Sequence, residues 1–80
     1  MMKVQVRLYA ALVRLVPGAT AGTPLEVDLP EGSTLAELLA AIPLPAQEVK
    51  VIFANGRARE MSYTLAPGDR VGIFPLVGGG

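Results

Sequence analysis

The sequence predicts an α+β domain, a mixed sheet of four to five strands covered on one face by a single main helix. Three observations carry that reading. Val4, Val6 and Leu8 alternate with Lys3, Gln5 and Arg7, and Leu25, Val27 and Leu29 alternate with Glu26 and Asp28, the period of half-buried strands. Leu35, Leu38, Leu39 and Ile42 fall at i, i+3, i+4 and i+7, one apolar stripe of a helix. Asn55-Gly56 and Pro67-Gly68 then punctuate the remaining apolar runs as tight turns.

Each element follows from its residues. Residues 3–9 form the first strand, with Val4, Val6 and Leu8 inward. The segment "AALVRLV" has helix-forming residues up to Pro17-Gly18, so a short helical turn interrupts the first hairpin. After "GATAGTP" the second strand runs through Leu25, Val27 and Leu29 until Pro30 and Gly32 end it. In "STLAELLAAIP", Thr34 with Glu37 three residues on is a capping box, and Pro43 marks the stop. "EVKVIFANGRARE" reads as a strand with Val49, Val51 and Phe53 inward and Lys50, Ile52 and Ala54 on the other face. It turns back at Asn55-Gly56, where both central positions favour positive φ. "TLAPGDRVGIF" supplies the last strand, with Val71 and Ile73 inward and Asp69 as a turn residue. Strand, strand, helix, strand, short strand, strand around one core is an arrangement of the β-grasp kind.

Composition narrows the function. Eighty residues hold one domain, and 51% apolar residues with few charges make it a globular one. The net charge is zero, and the basic residues are scattered, so the chain lacks the cationic patch that counterion release on nucleic acid requires. With neither cysteine nor histidine there is no disulfide framework, no thiolate nucleophile and no common zinc ligand set, and no metal site is expected. The start, "MMKVQVRLYAALVRLVPGATA", has the early basic residues of a signal peptide. Its apolar run from Leu8 to Val13 is shorter than a signal core, and the residues before it alternate as a strand. It reads as folded protein in a cytoplasmic chain without a membrane-spanning segment.

The sequence closes on "FPLVGGG". Gly78, Gly79 and Gly80 are either a frayed end or a carrier for the terminal carboxylate. The "TLAELLAAI" helix after "EGS", the "ANG" hairpin, the "PGDRV" turn and this glycine tail together resemble the ubiquitin-like β-grasp sulfur carriers. That family includes the small subunit of molybdopterin synthase and the thiamine-pathway sulfur carrier, and the resemblance runs over the whole chain. It implies a β-grasp domain over residues 1–77 and a flexible tail over 78–80. It further implies that a ubiquitin-activating-like enzyme adenylates the carboxylate of Gly80, that a sulfur donor converts the adenylate to a thiocarboxylate, and that ATP is used by that partner while the chain binds no cofactor. Glycine suits the task because a Cβ near the reacting carbonyl narrows the path into a partner. Residues 77–80, fully extended, reach about 13 Å at ~3.3 Å per residue. The family pattern ends in two glycines and this tail has three, so Gly80 is placed as the reactive residue, Gly79 as its partner and Gly78 as an additional permissive one.

The helical insert "YAALVRLVPG" is similar to that of molybdopterin-type small subunits. It implies sulfur donation in molybdenum or tungsten cofactor biosynthesis, with catalysis in the large synthase subunit. A thiamine-pathway carrier and a protein modifier conjugated to lysines through Gly80 are the alternatives, and a β-grasp interaction module with an inert tail is a third. A carrier must also be recognised. By the parity given above, Ile52 and Phe74 point to the open face of the sheet, with Leu76 and Val77 continuing beyond it. With Gly78 they form the expected partner-binding set. Arg57, Arg59 and Arg70 read as solvated charges, and Glu37 as a capping residue.

Overall fold

The alternation in the first strand carries directly into three dimensions. In the computed structural model, which describes residues 1–76, β1 (Met2–Leu8) buries Met2, Val4, Val6 and Leu8 and exposes the residues between them. β2 (Leu25–Leu29) pairs with it antiparallel, Met2 opposite Leu29 and Val6 opposite Leu25. The connection between them contains the expected helical turn as a 3-10 helix, Ala10–Leu15. Leu12, only 1% exposed, anchors this insert to the core, and Val16 is buried just before the Pro17-Gly18 break.

The helix α1 (Leu35–Ala41) begins where the capping box places it. The Glu37 amide donates to Thr34 Oγ1 at 3.3 Å, and the Thr34 amide donates to Glu37 Oε1 at 2.8 Å, so two amides of the first turn are satisfied locally. Leu35, Leu38, Leu39 and Ile42 lie in one core cluster with Val4, Val6, Val71 and Ile73, which is how the helix covers one face of the sheet. The sheet is completed by β3 (Val49–Ala54), β4 (Arg57–Arg59) and β5 (Arg70–Pro75). Its order is β2-β1-β5-β3-β4, with β1 and β5 parallel at the centre and the other pairs antiparallel. Asn55 and Gly56, at φ of +52° and +84°, make the two-residue turn between β3 and β4. This is the ubiquitin-like β-grasp architecture, five strands and one main helix.

One expectation is overturned. β3 buries Ile52 (3% exposed) and Ala54 (2%), while Val51 and Phe53 are only partly buried. Ile52 therefore faces the helix and Phe53 the open side, the reverse of the alternation read from sequence. The cause is a bulge: Val49 pairs with Pro75 and Val51 with Phe74, two steps on β3 against one on β5. Val49 packs on the core, the extra residue shifts the parity, and beyond it Ile52 lies opposite Ile73 and Ala54 opposite Val71. Directly opposed residues share a face, so the core-facing Val71 and Ile73 draw Ile52 and Ala54 inward with them.

The turn before β5 is more than a turn. Asp69 is 7% exposed, and its carboxylate accepts from Asn55 Nδ2 at 2.9 Å, the Ala66 amide at 2.9 Å and the Tyr63 hydroxyl at 3.3 Å. Asn55 Oδ1 in turn accepts from the Arg70 amide at 3.0 Å. The β3–β4 hairpin is thereby tied to the start of β5. No helix among the described residues is long and apolar enough to cross a membrane.

Candidate functional site

The helix covers one face of the sheet, and the opposite face carries a cluster of aromatic and basic residues. Three cross-strand rows organise its central part. In the first, Tyr9 follows β1, its amide donating to the Ile73 carbonyl at 3.2 Å, and lies beside Phe74 of β5, which is opposite Val51 of β3. In the second, Gly72 of β5 has Arg7 of β1 on one side and Phe53 of β3 on the other. In the third, Arg70 of β5 is opposite Gln5 of β1.

The aromatic side chains of these rows form a cluster. The Tyr9 and Phe74 rings are stacked, centroids 4.2 Å apart and planes 4° from parallel. Phe53 meets Phe74 edge to face at 5.6 Å and 82°. The rings lie over Gly72, where a Cβ would stand 3.4 Å from Tyr9 Cε2 and 3.7 Å from Phe74 Cε1, in van der Waals contact with both. A cleft of about 580 Å³ opens beside the cluster, lined by these rings together with Arg7 and Arg70. Among the described residues the single ion pair joins Lys3 Nζ and Glu26 Oε1 at 3.8 Å, so neither Arg7 nor Arg70 has a carboxylate partner there. The face offers stacking surface and free guanidinium groups, the equipment of a binding surface.

The expected partner-binding residues separate. Phe74 is on the open face, partly covered by Tyr9 and Phe53. Leu76 is 54% exposed immediately after β5, with its amide donating to the Glu48 carbonyl at 3.2 Å. Ile52 is not a surface residue at all: the bulge in β3 places it in the core. Val77, Gly78, Gly79 and Gly80 lie outside the described residues. Arg57 and Arg59 are exposed, and the Arg59 guanidinium carbon sits 4.8 Å from the Tyr63 ring centroid. Among the described residues no group of three metal-ligating side chains comes together.

Sequence reasoning missed Tyr9, Phe53 and Gly72 as members of the surface. Tyr9 directly follows a strand whose inward residues are the even-numbered ones, so the alternation of β1 carried one residue further gave that signal. Phe53 was hidden by the bulge.

Comparison with known proteins places the chain. The family model described as Mut7-C ubiquitin matches residues 1–78. Among solved structures, a Pyrococcus furiosus protein described as molybdopterin converting factor subunit 1 is 28% identical, with a TM-score of 0.71, over 96% of this chain and 100% of that one. Small archaeal modifier protein 1 of Haloferax volcanii is 22% identical, with a TM-score of 0.75, over 96% and 100% of the two chains. The ubiquitin of Caldiarchaeum subterraneum is 22% identical, with a TM-score of 0.60, over 99% and 98%. At these lower identities the likeness is one of fold. No curated protein matches the sequence significantly.

Proposed function

The chain belongs to the Mut7-C ubiquitin family, and from that premise we propose that it is a ubiquitin-like sulfur carrier, activated through the carboxylate of Gly80. An activating enzyme supplies ATP; the carboxylate attacks the α-phosphate, pyrophosphate leaves and an acyl-adenylate forms. A sulfide-level donor then attacks the acyl carbon, AMP leaves and the thiocarboxylate remains. The finer reading is donation of that sulfur in molybdopterin biosynthesis as the small subunit of a synthase whose large subunit catalyses the reaction. The likeness to the Pyrococcus furiosus protein, described as molybdopterin converting factor subunit 1, is what supports this finer reading.

The observation that carries the proposal is the position of β5. It is a central strand, hydrogen-bonded to β1 on one side and β3 on the other, and it delivers the chain to an exposed Leu76 from which the sequence continues into Val77, Gly78, Gly79 and Gly80. A strand paired on both sides is a fixed base, and glycine, having no Cβ, is the residue that a narrow path to a reactive carboxylate admits. Phe74 and Leu76 flank that base and serve as contacts for the partner.

The intact mass of the protein purified from its own cells tests this reading. A sulfur-for-oxygen exchange at Gly80 supports it. Conjugates to lysines of other proteins instead identify a modifier, and a chain that continues past Gly80 or is unmodified under sulfur demand overturns it. In vitro, pyrophosphate release by the cognate activating enzyme is expected to fall by at least tenfold on Gly79→Ala or on adding one residue after Gly80. Equal rates in both variants and the wild type would leave the glycines without a role.

A further inference from the structure

The chain has four aromatic residues, two Tyr and two Phe, and three of them, Tyr9, Phe53 and Phe74, sit together on the uncovered face while the core is built from aliphatic side chains. Aromatic rings are the largest apolar side chains available to a small core, so their placement outside it calls for an explanation in binding. The cleft they line changes along the strands. Tyr9 and Phe74 form its aromatic row, Arg7 stands beside Gly72 and Phe53 in the next, and Arg70 lies in the row beyond; both arginines are exposed and without a carboxylate partner among the described residues.

The register brings the two cations together. Arg70 is opposite Gln5, and Arg7 is two residues further along the same strand. With about 4.8 Å between strands and about 6.6 Å along two residues, their Cα atoms stand roughly 8 Å apart, close enough for two long side chains to reach one anion. The volume of about 580 Å³ falls within the ~300–1,000 Å³ of small-molecule sites, whose usual make-up is an apolar wall with a few placed polar groups.

We propose that this cleft is a mononucleotide site, the base stacking against the exposed side of the aromatic cluster and the phosphate held by Arg7 and Arg70. Guanidinium groups match a phosphate with paired N–H donors, and an aromatic wall accepts any base on its π face. A single nucleotide fits better than a nucleic acid strand. Glu26 and Asp28 are exposed on β2, beyond β1 from the cleft, and the chain is neutral overall, so a polyanion leaving the cleft in that direction meets carboxylates where it needs cations. The site shares Phe74 with the partner contact proposed above, and its test uses the chain alone, apart from thiocarboxylate chemistry at Gly80.

The test is a heteronuclear NMR titration of the full chain with AMP, GMP, CMP and UMP, and in parallel with adenosine, inorganic phosphate and a short oligoadenylate. At least one monophosphate is expected to shift the amides of Arg7, Gly72 and Phe74 saturably. If that ligand is AMP, adenosine and phosphate should each bind at least tenfold more weakly. Arg7→Gln and Arg70→Gln should each weaken the monophosphate about tenfold, the loss of one charge-assisted contact, and leave the nucleoside unchanged. Phe53→Leu should weaken nucleotide and nucleoside alike. The arginines are exposed, so their variants remain informative even where Phe53→Leu fails to fold. The proposal is overturned by the absence of saturable shifts with any monophosphate, by inorganic phosphate binding as tightly as the nucleotides, or by indifference to both arginine substitutions. Oligoadenylate affinity that rises steeply with length and collapses with salt also overturns it, in favour of a single-strand surface.

Discussion

Ile52→Ala and Val51→Ala remove aliphatic carbons from neighbouring residues of one strand, and the bulge predicts opposite outcomes for them. Ile52 is 3% exposed and lies opposite the fully buried Ile73 in the central cluster. Truncation removes three CH2-sized groups at roughly 0.8 kcal/mol each, about 2.4 kcal/mol of transfer free energy. The unfilled cavity raises the total toward the upper part of the ~2–5 kcal/mol range for such changes. In a domain of this size each kcal/mol lowers the thermal midpoint by about 4–8 °C, so a fall of at least ~10 °C is expected. Val51 is only partly buried on the open face, and its truncation is expected to cost less than about 1 kcal/mol. Differential scanning calorimetry and urea unfolding on the two variants measure both. A large loss at Val51 with a small one at Ile52 would restore the uninterrupted alternation and refute the bulge.

Asp69→Ala leaves Asn55 Nδ2, the Ala66 amide and the Tyr63 hydroxyl without their shared acceptor and is expected to destabilise by about 2–4 kcal/mol, read from urea unfolding; a loss under about 1 kcal/mol would mean the three donors find water instead. Thr34→Ala removes one half of the capping box and is expected to cost about 1 kcal/mol by the same measurement, with Thr34→Ser close to wild type. Gly56→Ala places a Cβ at φ of +84° in the β3–β4 turn and is expected to cost about 1 kcal/mol, with little change in the core as seen by NMR; a gain in stability would contradict the turn geometry.

The features that were legible in the sequence are those fixed by chemistry a few residues apart. The Thr34–Glu37 box, the Asn55-Gly56 turn and the alternation through Val4, Val6 and Leu8 each carry their own geometry, and each appears where the residues place it. β3 did not. Its "VKVIFA" is apolar on both faces apart from Lys50, so alternation has almost nothing to act on, and the parity is decided by pairing with a strand some twenty residues later. The aromatic cluster has the same difficulty on a larger scale. Tyr9 and Phe74 come from opposite ends of the described chain, and only the parallel pairing of β1 with β5 sets them side by side. Asp69 could be read as a turn residue, but not as the acceptor for Asn55, a residue fourteen positions earlier in another turn.

The parallel pairing of β1 with β5 also governs how the domain comes into being. Until residues 70–75 are available, the sheet is two separate hairpins, β1–β2 and β3–β4, with an empty lane between them. Local contacts can form each piece early, yet the contact between Gln5 and Arg70 closes nearly the whole described chain into one loop, the kind of pairing that slows folding. A chain interrupted anywhere before β5 exposes its leucine-faced helix and two unpaired inner strand edges, the surfaces that invite aggregation. The strand that the sequence extends into the glycines is thus also the one that joins the two hairpins into a single sheet.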